Sequence, residues 1–239
     1  AQSFLAKYKN KLTGTIGDMA SFSFETKKHM TTGQGGMVIT NNEKLATAIR
    51  KHAGLGYKTL TAKQGMTSLM PHQFQNPYFK RHDSLAYNFR LPEICAALGL
   101  AQLERLEEKV SLRQKIAEMY SECIDGVDWI IPQKVESYLT NSYWTYCVKY
   151  LGESKKGVSW EDFYNKFNEN GGDGFFGGLA NQHDEIVMEK LPFYGGYLPS
   201  DSHLYKNKFY YKKGTWPIAE NLQPLLMQFK TGYRDLEIA

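Results

Sequence analysis

The chain has 239 residues, 42% hydrophobic and 14% aromatic, and a formal net charge of +4. That length and apolar content can bury the core of one large or two modest domains, and a mild charge spread along the chain argues against a nucleic-acid partner. No apolar run approaches a membrane span, Ala1-Gln2-Ser3-Phe4 lacks the basic and apolar start of a secretion signal, and the expected location is the cytoplasm.

The first clear elements are two short β-prone runs, Met19 to Phe24 and Met37 to Thr40, joined by a turn that carries Lys27 and Lys28 and contains Gly33, Gly35 and Gly36. Asn41 to His52 reads as a helix with Asn at its start, an apolar stripe at Leu45, Ala48 and Ile49, and Gly54 as its stop. From Gly56 to Ser84 no periodicity is sustained, and a loop of that length in a compact domain is usually functional or ordered by a partner. Pro92 to Ile124 is helical in pattern and unusually long. The pattern predicts a break near Glu107 to Ser111 and a boundary near residue 108, with one domain over 1–108 and a second over 109–239. Tyr143 to Leu151 alternates as a strand, and Trp160 to Asn168 is an amphipathic helix opened by Ser159. Glycine-rich breaks follow at Gly171 to Gly178, then an aromatic-rich stretch from Lys206 to Lys213 before Trp216-Pro217-Ile218-Ala219-Glu220.

Cys95, Cys123 and Cys147 are odd in number and far apart, which fits reduced, buried thiols better than disulfides, and the scattered histidines make no ligand spacing, so no metal is expected. The lysine turn is the chemically suggestive feature. An ε-amine held by strands can condense with a carbonyl to form a Schiff base, and a hydroxyl at a strand end, as at Ser23, beside glycine-freed amides suits a phosphate. On residue types alone, a tight turn with a solvated Lys27-Lys28 pair is the favoured reading, since glycine-rich turns are common.

The succession Ala1-Gln2, Gly17-Asp18, Ser21-Phe22-Ser23-Phe24, Lys28, Gly33-Gln34-Gly35-Gly36, Tyr87-Asn88-Phe89-Arg90 and Ala96 to Leu103 resembles the DegT/DnrJ/EryC1/StrS family of sugar aminotransferases. The resemblance is strong over the lysine turn and the first half of the long helix, moderate at Pro217-Ile218-Ala219-Glu220, and nearly absent from Gly56 to Ser84. It implies an α/β architecture, fold type I, here the C-terminal part of the large α/β/α domain plus a small C-terminal α+β domain. It also implies pyridoxal 5'-phosphate as cofactor, with Lys28 as catalytic residue and Schiff-base nucleophile. Lys27 competes. The family's phosphate-binding serine lies five positions before its lysine and an acidic residue six after, and only Lys28 meets both spacings, with Ser23 and Gln34; Gln34 departs from the usual acid.

By the same resemblance Gln2 lies against the cofactor ring, and Asn88 reaches across a homodimer interface to the partner's cofactor phosphate. Arg90 either pairs with an anionic ligand or forms a salt bridge at the helix start. The implied reaction moves an amino group from an amino acid, usually glutamate, to a keto group of a nucleotide-linked sugar. The family's carboxylate partner for the pyridinium nitrogen sits in an Asp-x-Ala-Gln motif, which would place it just before Ala1. The expectation is a chain that begins partway through the large domain, ends short of its last helix, and is by itself a poor catalyst. A sugar dehydratase, in which a histidine takes the place of the lysine, and a non-catalytic relative are the alternatives.

Overall fold

The computed structural model describes residues 1–65, 70–186 and 213–237. Of the aromatic-rich stretch Lys206 to Lys213 only Lys213 is among these, and 66–69 of the long loop lie outside them. The chain forms two compact units: Ala1–Ile116 with Val135–Trp144 and Gly232–Ala239, and Ala117–Lys134 with Thr145–Thr231. The changeover falls inside a helix, further along it than residue 108, and two later stretches return to the first unit. Long-range pairing produces that return, and no local pattern announces it.

The first unit opens with a hairpin, β1 (Lys7–Tyr8) and β2 (Lys11–Leu12), whose turn residues Lys9 and Asn10 both have positive φ, 47° and 62°, as a two-residue hairpin with right-handed twist requires. The returning strand β6 (Leu139–Thr140) pairs antiparallel with β1. A second hairpin joins β3 (Ala20–Ser23) to β4 (Gly36–Ile39), in register from Ala20 opposite Ile39 to Ser23 opposite Gly36. These are the two runs expected from sequence, and the lysine turn is their connection.

Helix α1 (Glu43–Ala53) is capped by Asn42, whose Oδ1 accepts from the amides of Lys44 at 2.9 Å and Leu45 at 3.2 Å, and it ends at Gly54. Replacing Asn42 with alanine leaves two first-turn amides without that acceptor and is expected to lower stability by about 1 kcal/mol in urea denaturation. In the stretch from Gly56 to Ser84, expected to lack structure, a short helix α2 (Pro71–Phe74) forms. The ends of this stretch are closed by a bridge between Tyr57 and His82, by a Lys58 amide bond to the Arg81 carbonyl at 2.9 Å, and by an ion pair between Lys51 and Asp83.

The long helical pattern resolves into α3 (Glu93–Leu103) and α4 (Leu106–Cys123), broken at Glu104–Arg105, ahead of the expected position. No glycine or proline marks the break. Leu106 and Val110 at the start of α4 are each 4% exposed and pack with Phe4, Phe24 and Met30, so tertiary burial sets where α4 begins.

The second unit is built on a four-stranded antiparallel sheet, ordered β5 (Ile130–Pro132), β7 (Thr145–Tyr150), β9 (Leu226–Lys230), β8 (Phe176–Gly177). Alternation puts Tyr146, Val148 and Tyr150 of β7 on the buried face, with Met227 and Phe229 of β9. Helix α5 (Gly152–Lys156) follows β7, and α6 (Trp160–Glu169) is capped by Ser159 Oγ accepting from the Asp162 amide at 3.0 Å. Phe163 lies 5.2 Å from Tyr150, and Phe167 5.7 Å from Phe229, between ring centroids. Helix α7 (Pro217–Leu222) precedes β9. All three thiols are free, but Cys95 and Cys147 are only half-buried and Cys123, at the last position of α4, is exposed, which corrects the expectation of buried cysteines. No helix among the described residues is long and apolar enough to cross a membrane.

Candidate active site

The lysine turn is fixed at its base before any ligand enters the account. The Phe24 amide donates to the Gly35 carbonyl at 2.9 Å and the Thr32 amide to the Phe24 carbonyl at 3.0 Å, continuing the β3–β4 ladder into the connection. Phe24 and Met30, on either side of the lysines, are buried in the first unit's core. Threonine hydroxyls tie the intervening backbone: Thr26 Oγ1 to the Gly33 carbonyl at 3.1 Å, Thr31 Oγ1 to the Phe24 carbonyl at 3.1 Å, Thr32 Oγ1 to the Gln34 carbonyl at 2.8 Å. Short hydroxyl side chains suit this because they reach backbone groups within a few residues. Gly35 sits at φ 147°, and a Cβ there would stand 2.8 Å from both Leu91 Cδ1 and Thr32 Oγ1, so only glycine lets the turn lie against the segment that leads into α3.

Within that frame the two lysines differ. Lys27 is exposed; its amide donates to a Glu25 carboxylate oxygen at 3.0 Å, and its carbonyl accepts from Trp144 Nε1 at 2.7 Å. Lys28 is half-buried, its amide donating to the Glu25 carbonyl at 3.0 Å and its Nζ standing 4.6 Å from the Trp144 ring centroid. Among the described residues its ammonium has no carboxylate partner. Ser23, the last residue of β3, is half-buried, and its Oγ accepts from the Glu25 amide at 3.3 Å. That leaves the serine O–H proton without an acceptor among the described residues.

His29 is 3% exposed, and its Nε2 lies 2.9 Å from the Ser142 carbonyl, which assigns the proton to Nε2. Burial pushes its pKa down to about 4; the Ser142 bond opposes the shift, and the charges of Arg113 and Lys28 add to it. The segment that meets the turn is itself anchored to α4, Arg113 Nη1 donating to the Trp144 carbonyl and Gln114 Nε2 to the Asn141 carbonyl, both at 2.9 Å.

The structure thus brings Ser23 and Lys28 onto one hairpin connection. Asn88 is exposed, in a bridge opposite Gly54 three residues before Leu91, and the Leu91 contact with Gly35 sets that segment beside the turn. Gln2 is exposed next to Ser3, whose carbonyl accepts from Thr13 Oγ1 at 2.7 Å. Gln34 is exposed, and Arg90 is exposed at the entry to α3. Trp144, Ser142 and Arg113 were not legible as site residues from sequence. Trp144 is 117 positions from its partner Lys27, and no local spacing signals such a pair.

The family model described as the DegT/DnrJ/EryC1/StrS aminotransferase family matches residues 1–175. The chain belongs to that family. GDP-perosamine synthase of Escherichia coli is 36% identical over 144 residues, which are 60% of this chain and 34% of the relative. An uncharacterised protein of Methanocaldococcus jannaschii is 26% identical over 231 residues, 92% of this chain and 50% of its own. The chain therefore spans about a third to a half of the curated relatives it matches. Among solved structures, the aminotransferase from Psychrobacter cryohalolentis superposes with a TM-score of 0.70 over 98% of this chain and 56% of its own, at 25% identity. The E. coli GDP-4-keto-6-deoxy-D-mannose-3-dehydratase with bound hydrated PLP does so with the same score, 0.70, at 20% identity, over 99% of this chain and 56% of its own. The fold is accordingly the mixed α/β fold type I of pyridoxal-phosphate aminotransferases, as expected from the sequence.

Proposed function

We propose that this chain carries the lysine-bearing part of a pyridoxal-phosphate-dependent aminotransferase that moves an amino group from an amino acid, glutamate by family resemblance, to a keto group of a nucleotide-linked sugar. The observation that carries the reading is the pair on the β3–β4 connection: a primary amine, Lys28, with no carboxylate partner among the described residues, and a strand-end hydroxyl, Ser23, with its proton uncommitted. That donor set fits an aldehyde and a phosphate.

Pyridoxal phosphate, when bound, supplies the carbonyl that takes up an amino group and the ring that accepts the electron pair left when a C–H bond breaks. Lys28 Nζ would hold the cofactor and, as general base and acid, would take and return the proton. Ser23 Oγ–H would donate to the phosphate, a charge-assisted bond. By family resemblance Asn88 would serve the phosphate of a second copy, and Gln2 would lie against the ring. A homodimer is consistent with the apolar side chains exposed beside Asn88, Tyr87 at 58%, Phe89 at 67% and Ile94 at 86%. The proposed location is the cytoplasm, where nucleotide-linked sugars are made and used.

The dehydratase reading needs a histidine in the lysine's role. His29, the neighbouring candidate, is buried and committed through Nε2 to Ser142, while the lysine beside it is accessible, which favours amino transfer. The test is made on the full-length protein. It is expected to turn yellow with pyridoxal phosphate, to bleach with glutamate, and to release an aminated sugar from one of a panel of keto nucleotide sugars. A deoxygenated keto sugar with no amine incorporated would instead indicate the dehydratase, and a protein that never colours would indicate a non-catalytic relative.

A further inference from the structure

We propose that Trp144 is a positioning residue that selects Lys28 over the adjacent Lys27 as the amine meeting the cofactor aldehyde, an inference that rests on the pyridoxal-phosphate reading above. The two lysines are chemically the same and neighbours in the chain, so only the geometry of the turn can tell them apart. Three consecutive residues of the turn are held by one short segment. Trp144 Nε1–H donates to the Lys27 carbonyl at 2.7 Å, the Trp144 ring lies 4.6 Å from Lys28 Nζ, and His29 Nε2 bonds the Ser142 carbonyl at 2.9 Å. Pinning the Lys27 carbonyl fixes the plane of the peptide between the lysines and therefore the direction in which the Lys28 side chain leaves the backbone. The indole face then offers that side chain a resting place, while the Lys27 side chain stays exposed.

The clamp is rigid because its own backbone is tied down. Arg113 Nη1 and Gln114 Nε2 donate to the carbonyls of Trp144 and Asn141, each at 2.9 Å, and Asn141 Oδ1 accepts from the Tyr143 amide at 2.9 Å. Tyr143 itself sits at φ 43°, a left-handed conformation that an aromatic residue holds only where its surroundings enforce it. Strain of this kind, in a segment that touches all three of Lys27, Lys28 and His29, marks a turn kept for where it puts Trp144.

The experiment is a labelling ratio. The full-length protein is incubated with pyridoxal phosphate and reduced with borohydride: an amine adds to the aldehyde with loss of water, borohydride delivers hydride to the carbon, solvent supplies the proton to nitrogen, and a stable pyridoxyl-lysine remains. Peptide mass spectrometry then gives the ratio of label on Lys28 to label on Lys27. The wild type is expected to favour Lys28 by about tenfold or more, Trp144→Leu to bring the ratio down by on the order of tenfold, and Trp144→Phe, which keeps a ring and loses the N–H, by about threefold. A merely structural role would lower total label without moving the ratio. An unchanged ratio in Trp144→Leu with a wild-type melting curve overturns the proposal; if that variant does not fold, an unchanged ratio in Trp144→Phe does so. Wild-type label mainly on Lys27 overturns the Lys28 assignment and this proposal with it, a failure visible in the wild-type sample alone.

Discussion

Lys28→Ala in the full-length protein is expected to lose the yellow colour of the bound cofactor and to lower transamination by roughly 10²–10⁴-fold, the range associated with removing a positioned acid–base group. Lys27→Ala is expected to keep both. The contrast follows from the turn: the Lys27 side chain is exposed and its role is carried by backbone, the carbonyl that accepts from Trp144 and the amide that donates to Glu25. Alanine preserves both of those bonds. Lys28 contributes through its side chain, half-buried over the Trp144 ring, and alanine removes it. Difference spectra with pyridoxal phosphate and the rate of bleaching by glutamate check the pair, and a colourless Lys27→Ala beside a coloured Lys28→Ala would place the reactive amine one residue earlier.

Acidification is expected to destabilise the protein through His29. In the fold its pKa is about 4, against the ordinary 6.5, because burial disfavours the imidazolium and the charges of Arg113 and Lys28 oppose it further. Between those two values the unfolded chain binds a proton that the folded chain refuses. The stability tied to neutral His29 is therefore full above 6.5 and is lost progressively as pH falls through 4. From pH 7 to pH 5 the loss from this one group is about 2 kcal/mol. Urea midpoints at the two pH values check it when wild type is compared with His29→Gln, which cannot take up the proton; the difference between the two proteins removes the contribution of carboxylates that titrate in both. Equal pH dependence in wild type and variant would show that His29 is not held neutral in the fold.

The order of elements around the lysine turn was legible in residue types because the signals there are local. Short β-prone runs from Met19 to Phe24, and again from Met37 to Thr40, give the two strands, and the glycines between them mark the turn. Asn42 and Gly54 bracket α1 for the same reason, since a cap acts over three or four residues. The succession of motifs from Ala1-Gln2 through the lysine turn to Ala96–Leu103 carried the family, which the match over residues 1–175 bears out. Where burial decided, local pattern fell short. The break between α3 and α4 lies at Glu104–Arg105 because Leu106 turns into the core with Phe4, Phe24 and Met30, and the long loop gained a helix that its composition did not announce.

By itself, then, the sequence determined that a lysine-bearing hairpin connection exists, because that is written within a few residues of Lys28, and to what family the chain belongs, through motifs that run in order from Ala1-Gln2 to Ala96–Leu103. Only the tertiary structure decided how that connection is held. It buries His29 against Ser142, brings the Trp144 indole to the Lys27 carbonyl and the Lys28 amine from the far side of the sequence, and ties that segment to Arg113 and Gln114. Such contacts have no period and no spacing, since they depend on a strand, β6, that returns to pair with β1 long after the lysines have been passed.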